Sequence, residues 1–314
     1  MSEIIKIATR ESYGNAVTEL GRDHEEIIVL DADLAEATKT AVFRKEFPDR
    51  HIDCGIAEAN MIGISAGLAA AGKVPFASSF AMFATGRAYE QIRNSVGYPH
   101  LNVKICATHA GLTVGEDGAT HQCNEDIALM RSIPGMTVIV PSDDIETKAA
   151  VRAAYEYRGP VYIRLGRFAV PVINTNEDYA FQIGKGIRLR DGSDVSVIAT
   201  GLMVSSALEA AEILAENGIS ASVVNIHTIK PIDRDLILEE ARKTGRIVTA
   251  EEHSVIGGLG SAVAETVGEE YPVPVHRVGM NDTFGESGPA ADLLIKYGLD
   301  GKGLAENIMA WMKG

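Results

Sequence analysis

The chain has 314 residues, 46% of them hydrophobic and 23% charged, a balance that suits globular domains with substantial cores. A formal net charge of -14, with no Lys/Arg-rich run to offset it locally, argues against nucleic acid and anionic membrane as partners. Any phosphate must then be held by a few Arg, His or backbone groups against an acidic average field. Met1 to Arg10 lack the apolar stretch and cleavage site of a signal peptide, and Cys54, Cys106 and Cys123 are scattered without a CxxC, so a cytoplasmic location is expected. The longest apolar stretches, such as Ile62 to Ala71, are too short to span a bilayer.

In chain order, strands are predicted at Glu26 to Leu30, Val74 to Ser78 and Val103 to Ala107, with helices from about Asn60 and Gly86 between them. Strands at Thr137 to Val140 and Val161 to Arg164 flank an amphipathic helix, Ile145 to Tyr157, for which Asp143 is a suitable cap. This alternation predicts an α/β fold with a doubly wound, mostly parallel sheet over residues 1–172. Residues 173–192 are polar and turn-forming and read as a linker. A smaller α/β domain over 193–314 follows, with strands at Val195 to Thr200, Ala221 to Ile226, Ile247 to Glu251 and Val275 to Val278, and helices from about Val204, Asp233, Gly260 and Pro289.

Glu58 stands at the start of a helix rich in small residues (Gly63, Ala66, Gly67, Ala69 to Ala71). It is either an ordinary helix-start acid favoured by the dipole or a carboxyl group in a dry pocket with a useful proton affinity. Phe80 and Phe83, three apart, are either core residues on one helical face or a stacking wall for a heteroaromatic ring. The segment Thr108 to Gln122, with three glycines, two histidines and an acidic pair, directly follows a buried parallel strand, where open α/β sheets place their ligands. His109, Glu116, Asp117 and His121 lack the compact spacing of known metal motifs, so no metal ligand is assigned in this chain.

Taken together, Gly55-Ile-Ala-Glu-Ala-Asn-Met61, the Phe80-x-x-Phe83 pair, Gly115-Glu-Asp-Gly-x-Thr-His-Gln122 and Asp282-Thr-Phe-Gly-Glu-Ser-Gly288 resemble the transketolase family. The resemblance covers the pyrimidine-binding (central) domain and the C-terminal domain, whereas the family's diphosphate motif, Gly-Asp-Gly followed by a distant Asn, has no counterpart. The resemblance therefore implies the C-terminal subunit of a split transketolase. It would use thiamine diphosphate and move a two-carbon ketol unit from a ketose phosphate to an aldose phosphate in pentose phosphate metabolism. An N-terminal subunit would supply the diphosphate contacts and the Mg2+ or Ca2+, in an α2β2 heterotetramer. The rivals are a deoxyxylulose phosphate synthase, a 2-oxoacid dehydrogenase beta subunit and a noncatalytic scaffold subunit.

By motif position, Glu58 would bind N1' of the aminopyrimidine and drive cofactor activation, with Phe80 and Phe83 as the wall under that ring. A third family aromatic falls at Gly86, leaving Tyr89, one turn on, as a substitute. Asp117 and His121 would meet sugar hydroxyls near the reacting carbon, His121 with a catalytic role. His109, Arg10 and Arg167 would hold the phosphate end. Where the family commonly has serine beside the phosphate this chain has Asp31, which would repel it unless neutralised by Arg10.

Overall fold

The computed structural model describes residues 5–176 and 179–313. The first half comprises β1 (Lys6–Ala8), α1 (Thr9–Asp23), β2 (Ile27–Asp31), α2 (Ala35–Thr38), α3 (Ala41–Glu46), β3 (His51–Asp53), α4 (Glu58–Ala70) and β4 (Val74–Ser78). It continues through α5 (Tyr89–Gln91), set between π-helical segments Met82–Arg87 and Ile92–Gly97, to β5 (Lys104–Ala107), α6 (Asp126–Arg131), β6 (Thr137–Ile139), α7 (Asp144–Glu156), β7 (Val161–Arg164) and β8 (Ala169–Pro171). The second half comprises β9 (Ile187–Arg190), β10 (Val195–Ala199), α8 (Met203–Glu216), β11 (Ala221–Asn225), β12 (Thr228–Lys230), α9 (Arg234–Thr244), β13 (Ile247–Ser254), α10 (Leu259–Glu270), β14 (Val275–Met280), α11 (Ala290–Lys296) and α12 (Gly301–Lys313).

Strands of a parallel sheet covered on both faces read as continuous apolar runs, and every residue of β2, β4, β5, β6 and β7 is buried. They form a seven-stranded sheet in the order β12-β6-β7-β5-β4-β2-β3, parallel except for β12. The second sheet has the order β14-β13-β10-β11-β9 and is parallel except for β9. Asp143 caps α7 as expected, accepting from Glu146 N at 2.8 Å, a contribution of about 1 kcal/mol.

Two features differ from the sequence reading. The segment taken as a linker contributes β9, whose Ile-Arg-Leu-Arg alternation is only four residues long and is masked by flanking turn residues. And β12, from the second half, pairs with β6 of the first sheet. One apolar cluster accordingly runs from Leu30 and Ile105 through Val138 and Val140 to Ile198, Ile226 and Ile229. Beside it, buried Glu146 accepts from Asn225 Nδ2 (2.8 Å), Tyr179 Oη (2.7 Å) and Ser142 N (2.7 Å), joining α7 to β11 and to the connecting segment.

Candidate cofactor and substrate site

The C-terminal ends of β4 and β5 carry most of the residues singled out from sequence. Beyond β4, Phe80 is almost fully buried and stacks on His109, with ring centroids 3.8 Å apart. Phe83 lies 6.0 Å from Phe80 in a near-parallel arrangement and keeps partial exposure, and His121 meets Phe83 edge-on at 5.3 Å. Phe80 therefore has one face closed by a protein ring, and Phe83 is the more open of the two. Tyr89 does not join them: its hydroxyl meets Ser132 Oγ, just past the end of α6, at 2.9 Å. A Cβ at Gly86 would meet only the flexible end of Met82.

Glu58 occupies the first turn of α4 and is buried at 2% exposure. Its Oε2 accepts a hydrogen bond from Arg87 Nη1 at 3.0 Å, a partner that the sequence reading missed because a Gly-Arg pair within a helix looks like ordinary surface. The helix it opens is apolar on all sides, yet Gly63 and Gly67 stand exposed with no atom near an added Cβ.

After β5 the backbone turns sharply at His109 (φ 55°) and Gly111 (φ 79°). His109 Nε2 receives Arg10 Nη1 at 3.2 Å, and its Nδ1 lies 2.8 Å from Thr108 Oγ1. Arginine can only donate, so this network assigns the imidazole proton to Nδ1. Burial first, then the neighbouring Arg10 and Arg167, with smaller contributions from His121 and Lys39, push the His109 pKa down to about 3. His109 is thus neutral at physiological pH inside a ring of cations. Arg167 bonds Val114 O at 2.5 Å and approaches Glu116 and Asp117 at 3.4 and 3.7 Å. Arg10, His109, Arg167, Asp117 and His121 are therefore gathered along one edge, with Lys39 as a further cation not singled out from sequence.

The loop is clamped from the second half. Gln122 Nε2 donates to Leu112 O (3.0 Å) and Glu286 O (2.9 Å), and Thr113 N donates to Glu252 Oε1 at 2.5 Å. A Cβ on Gly118 would meet Ser287 Oγ at 2.3 Å. The Asp282 to Gly288 motif thus acts as a brace for the His121 loop. The Gly257-to-Gly260 segment has its helix N-terminus filled by Glu251, which accepts from Leu259 N (2.6 Å) and Gly260 N (2.7 Å). Among the described residues, no group of three or more His, Cys, Asp or Glu side chains converges as a metal site.

Asp31, which the resemblance places beside the phosphate, is bound within the fold. It is fully buried at the end of β2, its Oδ1 accepting from Leu34 N (3.1 Å) and its Oδ2 from Thr40 Oγ1 (3.3 Å). His51 Nε2 lies 2.7 Å from Oδ2 but is misaligned for a hydrogen bond. Arg10, which could have neutralised Asp31, bonds Ala37 O (3.0 Å) and His109. Because β2 and β3 are parallel neighbours, His51 comes from the adjacent strand. Asp31→Ser should therefore lower stability by about 1–3 kcal/mol through unsatisfied buried partners. A urea titration showing an unchanged midpoint would overturn this assignment.

The sequence comparisons bear on this arrangement directly. A family profile described as transketolase, pyrimidine binding domain, matches residues 5–172. The chain belongs to the transketolase family. A second profile, transketolase, C-terminal domain, matches residues 184–304 of this transketolase chain. It is 55% identical over 97% of its length to a putative transketolase C-terminal section from Methanocaldococcus jannaschii, covering 96% of that protein. It is 42% identical to human transketolase over 96% of its own length but 49% of the human chain. Among solved structures, a split gene transketolase described as an inactive beta4 tetramer superposes with a TM-score of 0.89 at 56% identity, covering 97% of this chain and 98% of that one. The transketolase chain thus corresponds to the C-terminal part of a split enzyme, and family membership carries dependence on thiamine diphosphate. No helix among the described residues is long and apolar enough to cross a membrane.

Proposed function

We propose that this chain, with an N-terminal subunit of the same enzyme, transfers a two-carbon ketol unit between sugars that end in an anionic group. The observation that carries the reading is the convergence of Glu58, Phe83, His121 and the Arg10–His109 pair along one edge of a parallel sheet, in a chain of transketolase descent. When bound, thiamine diphosphate supplies the ring carbon through which the ketose C–C bond is broken and remade. Buried Glu58 would hold the aminopyrimidine nitrogen, and Phe83 would carry the ring face. The diphosphate and its Mg2+ or Ca2+ would be held by the partner.

The remaining work falls to residues of this chain. His121, beside Phe83, and Asp117 would orient the sugar hydroxyls near the reacting carbon and move their protons. Arg10, Lys39 and Arg167 would attract the terminal anion, and neutral His109, accepting from Arg10 at Nε2, would orient that guanidinium without adding charge. Relatives at 48% and 40% identity are named as subunits of a 6-deoxy-6-sulfo-D-fructose transketolase and an apulose-4-phosphate transketolase. Sulfonate and phosphate share charge and acceptor oxygens, which is why a cation cluster rather than one phosphate-shaped pocket suits this family branch.

Mixing the purified chain with its N-terminal subunit, thiamine diphosphate and Mg2+ should generate ketol transfer that neither chain shows alone. Full activity of this chain by itself would overturn the two-subunit reading.

A further inference from the structure

Glu58 and Phe83 share a neighbour. Arg87 Nη1 donates to Glu58 Oε2 at 3.0 Å, while Arg87 Cζ stands over the Phe83 ring, 5.1 Å from its centroid. One guanidinium thus covers both groups that, on the reading above, receive the aminopyrimidine. The chemistry explains why it fits there. A guanidinium is planar and weakly hydrated, stacks on an aromatic face, and carries N–H donors at its edge for a carboxylate. A heteroaromatic ring that stacks on Phe83 and hydrogen-bonds Glu58 presents the same combination: a flat face and an edge directed at an oxygen.

The two ends of the pair differ in freedom. The Glu58 side chain is 2% exposed and fixed in the first turn of α4, whereas that of Arg87 is 55% exposed. Arg87 closes the π-helical segment Met82–Arg87, directly after Gly86, on a turn wider than that of an α-helix. Pulling Glu58 away would open a buried helix start. Moving Arg87 requires that a long, half-solvated side chain rotate, and a ring that hydrogen-bonds Glu58 in its place gives the buried carboxylate a new partner. Arg87 is, moreover, the charged side chain that meets the buried Glu58 carboxylate.

We infer that Arg87 is a stand-in for the cofactor ring: it occupies Glu58 and the Phe83 face until thiamine diphosphate arrives, and cofactor entry turns it outward. Arg87 is then a positioning residue that sets the threshold for cofactor loading. The proposal rests on the assignment of Glu58 and Phe83 to the cofactor.

The test measures thiamine diphosphate binding calorimetrically on the complex of this chain with its N-terminal subunit, in Mg2+. Arg87→Met should tighten binding about two- to fivefold, the range expected when a competing ion pair with one exposed member is removed. Arg87→Lys, which keeps the charge but loses the flat face, should fall between. Unchanged or weaker binding by Arg87→Met overturns the proposal, because a purely structural arginine gives no gain when removed. A second measurement needs no variant: phenylglyoxal labelling of arginines, read by mass spectrometry, should increase at Arg87 when the wild-type complex is saturated with cofactor. Unchanged labelling or protection at Arg87 overturns the proposal. If Glu58→Gln does not weaken binding while Arg87→Met tightens it, the assignment of Glu58 fails separately, and the stand-in fails with it.

Discussion

Glu58→Gln in the assembled enzyme should lower kcat by about 10^2- to 10^4-fold, the usual worth of a positioned proton-transfer group. Glutamine keeps the shape of the side chain and can still contact a ring nitrogen, but it cannot take up the proton that the carboxylate shares. The fold should tolerate the change, because the other end of the pair, Arg87, is 55% exposed and can turn to solvent. A variant with native circular dichroism and collapsed ketol transfer is therefore expected. Full activity would remove Glu58 from the mechanism and leave the helix-start dipole as its whole explanation.

The second large effect concerns stability. Arg164, at the end of β7, donates through Nε to Asp126 Oδ2 at 2.8 Å and through Nη2 to the carbonyls of Cys123 (3.3 Å) and Glu252 (2.9 Å). Its Nη1 lies 3.9 Å from the Glu252 carboxylate. All three side chains are buried where the two halves meet. Arg164→Met should destabilise the chain by about 3–5 kcal/mol, because it strands two buried acids and two carbonyls. Denaturant unfolding at neutral pH measures it, and a loss below about 1 kcal/mol would show that water already reaches these groups.

The same cluster predicts a pH signature. Burial pushes both Glu251 and Glu252 up to about 7, against a partial offset from hydrogen bonds and Arg164. An acid whose folded pKa is raised binds more protons in the folded state, so its contribution is complete below about pH 4.5 and is lost as pH rises to about 7. His253 and His109 act oppositely. Burial lowers them to about 4 and about 3, so their contribution is present above the ordinary value of 6.5 and is lost as pH falls through the folded values. The two pairs offset each other between roughly pH 4.5 and 6.5. Glu252→Gln can still accept from Thr113 N. It should match wild type near pH 4.5 and exceed it by about 1–3 kcal/mol at pH 7. A variant whose difference from wild type does not change with pH would contradict this account.

Much of the scaffold was legible because buried parallel strands and their intervening helices carry strong local patterns. Val74 to Ser78, Val161 to Arg164 and the Asp143 cap appear in the structure as read. Glu58 was legible as a helix-start acid, and the His121 loop as a glycine-rich turn after a buried strand, because each is a local feature. Long-range pairings were not. His51 reaches Asp31 only through the β2–β3 register, and Arg87 reaches Glu58 across 29 positions. In sequence, a charged residue carries no mark of which element it will face. Phe80 shows the same limit: an aromatic pair at helical spacing does not reveal that a histidine from another loop will cover one ring.

The β12 strand ties the two halves together topologically. Thr228–Lys230 is made after the first sheet's other strands, yet it closes that sheet's β6 edge. A first half severed from the second would display bare backbone N–H and C=O groups along β6, the kind of surface that recruits strands from other chains. Synthesis from the N-terminus therefore leaves the seven-stranded sheet unsealed until most of the polypeptide exists. Swapping one half for another by recombination would have to carry that strand along, which joins the evolutionary fate of the first sheet to that of the C-terminal domain.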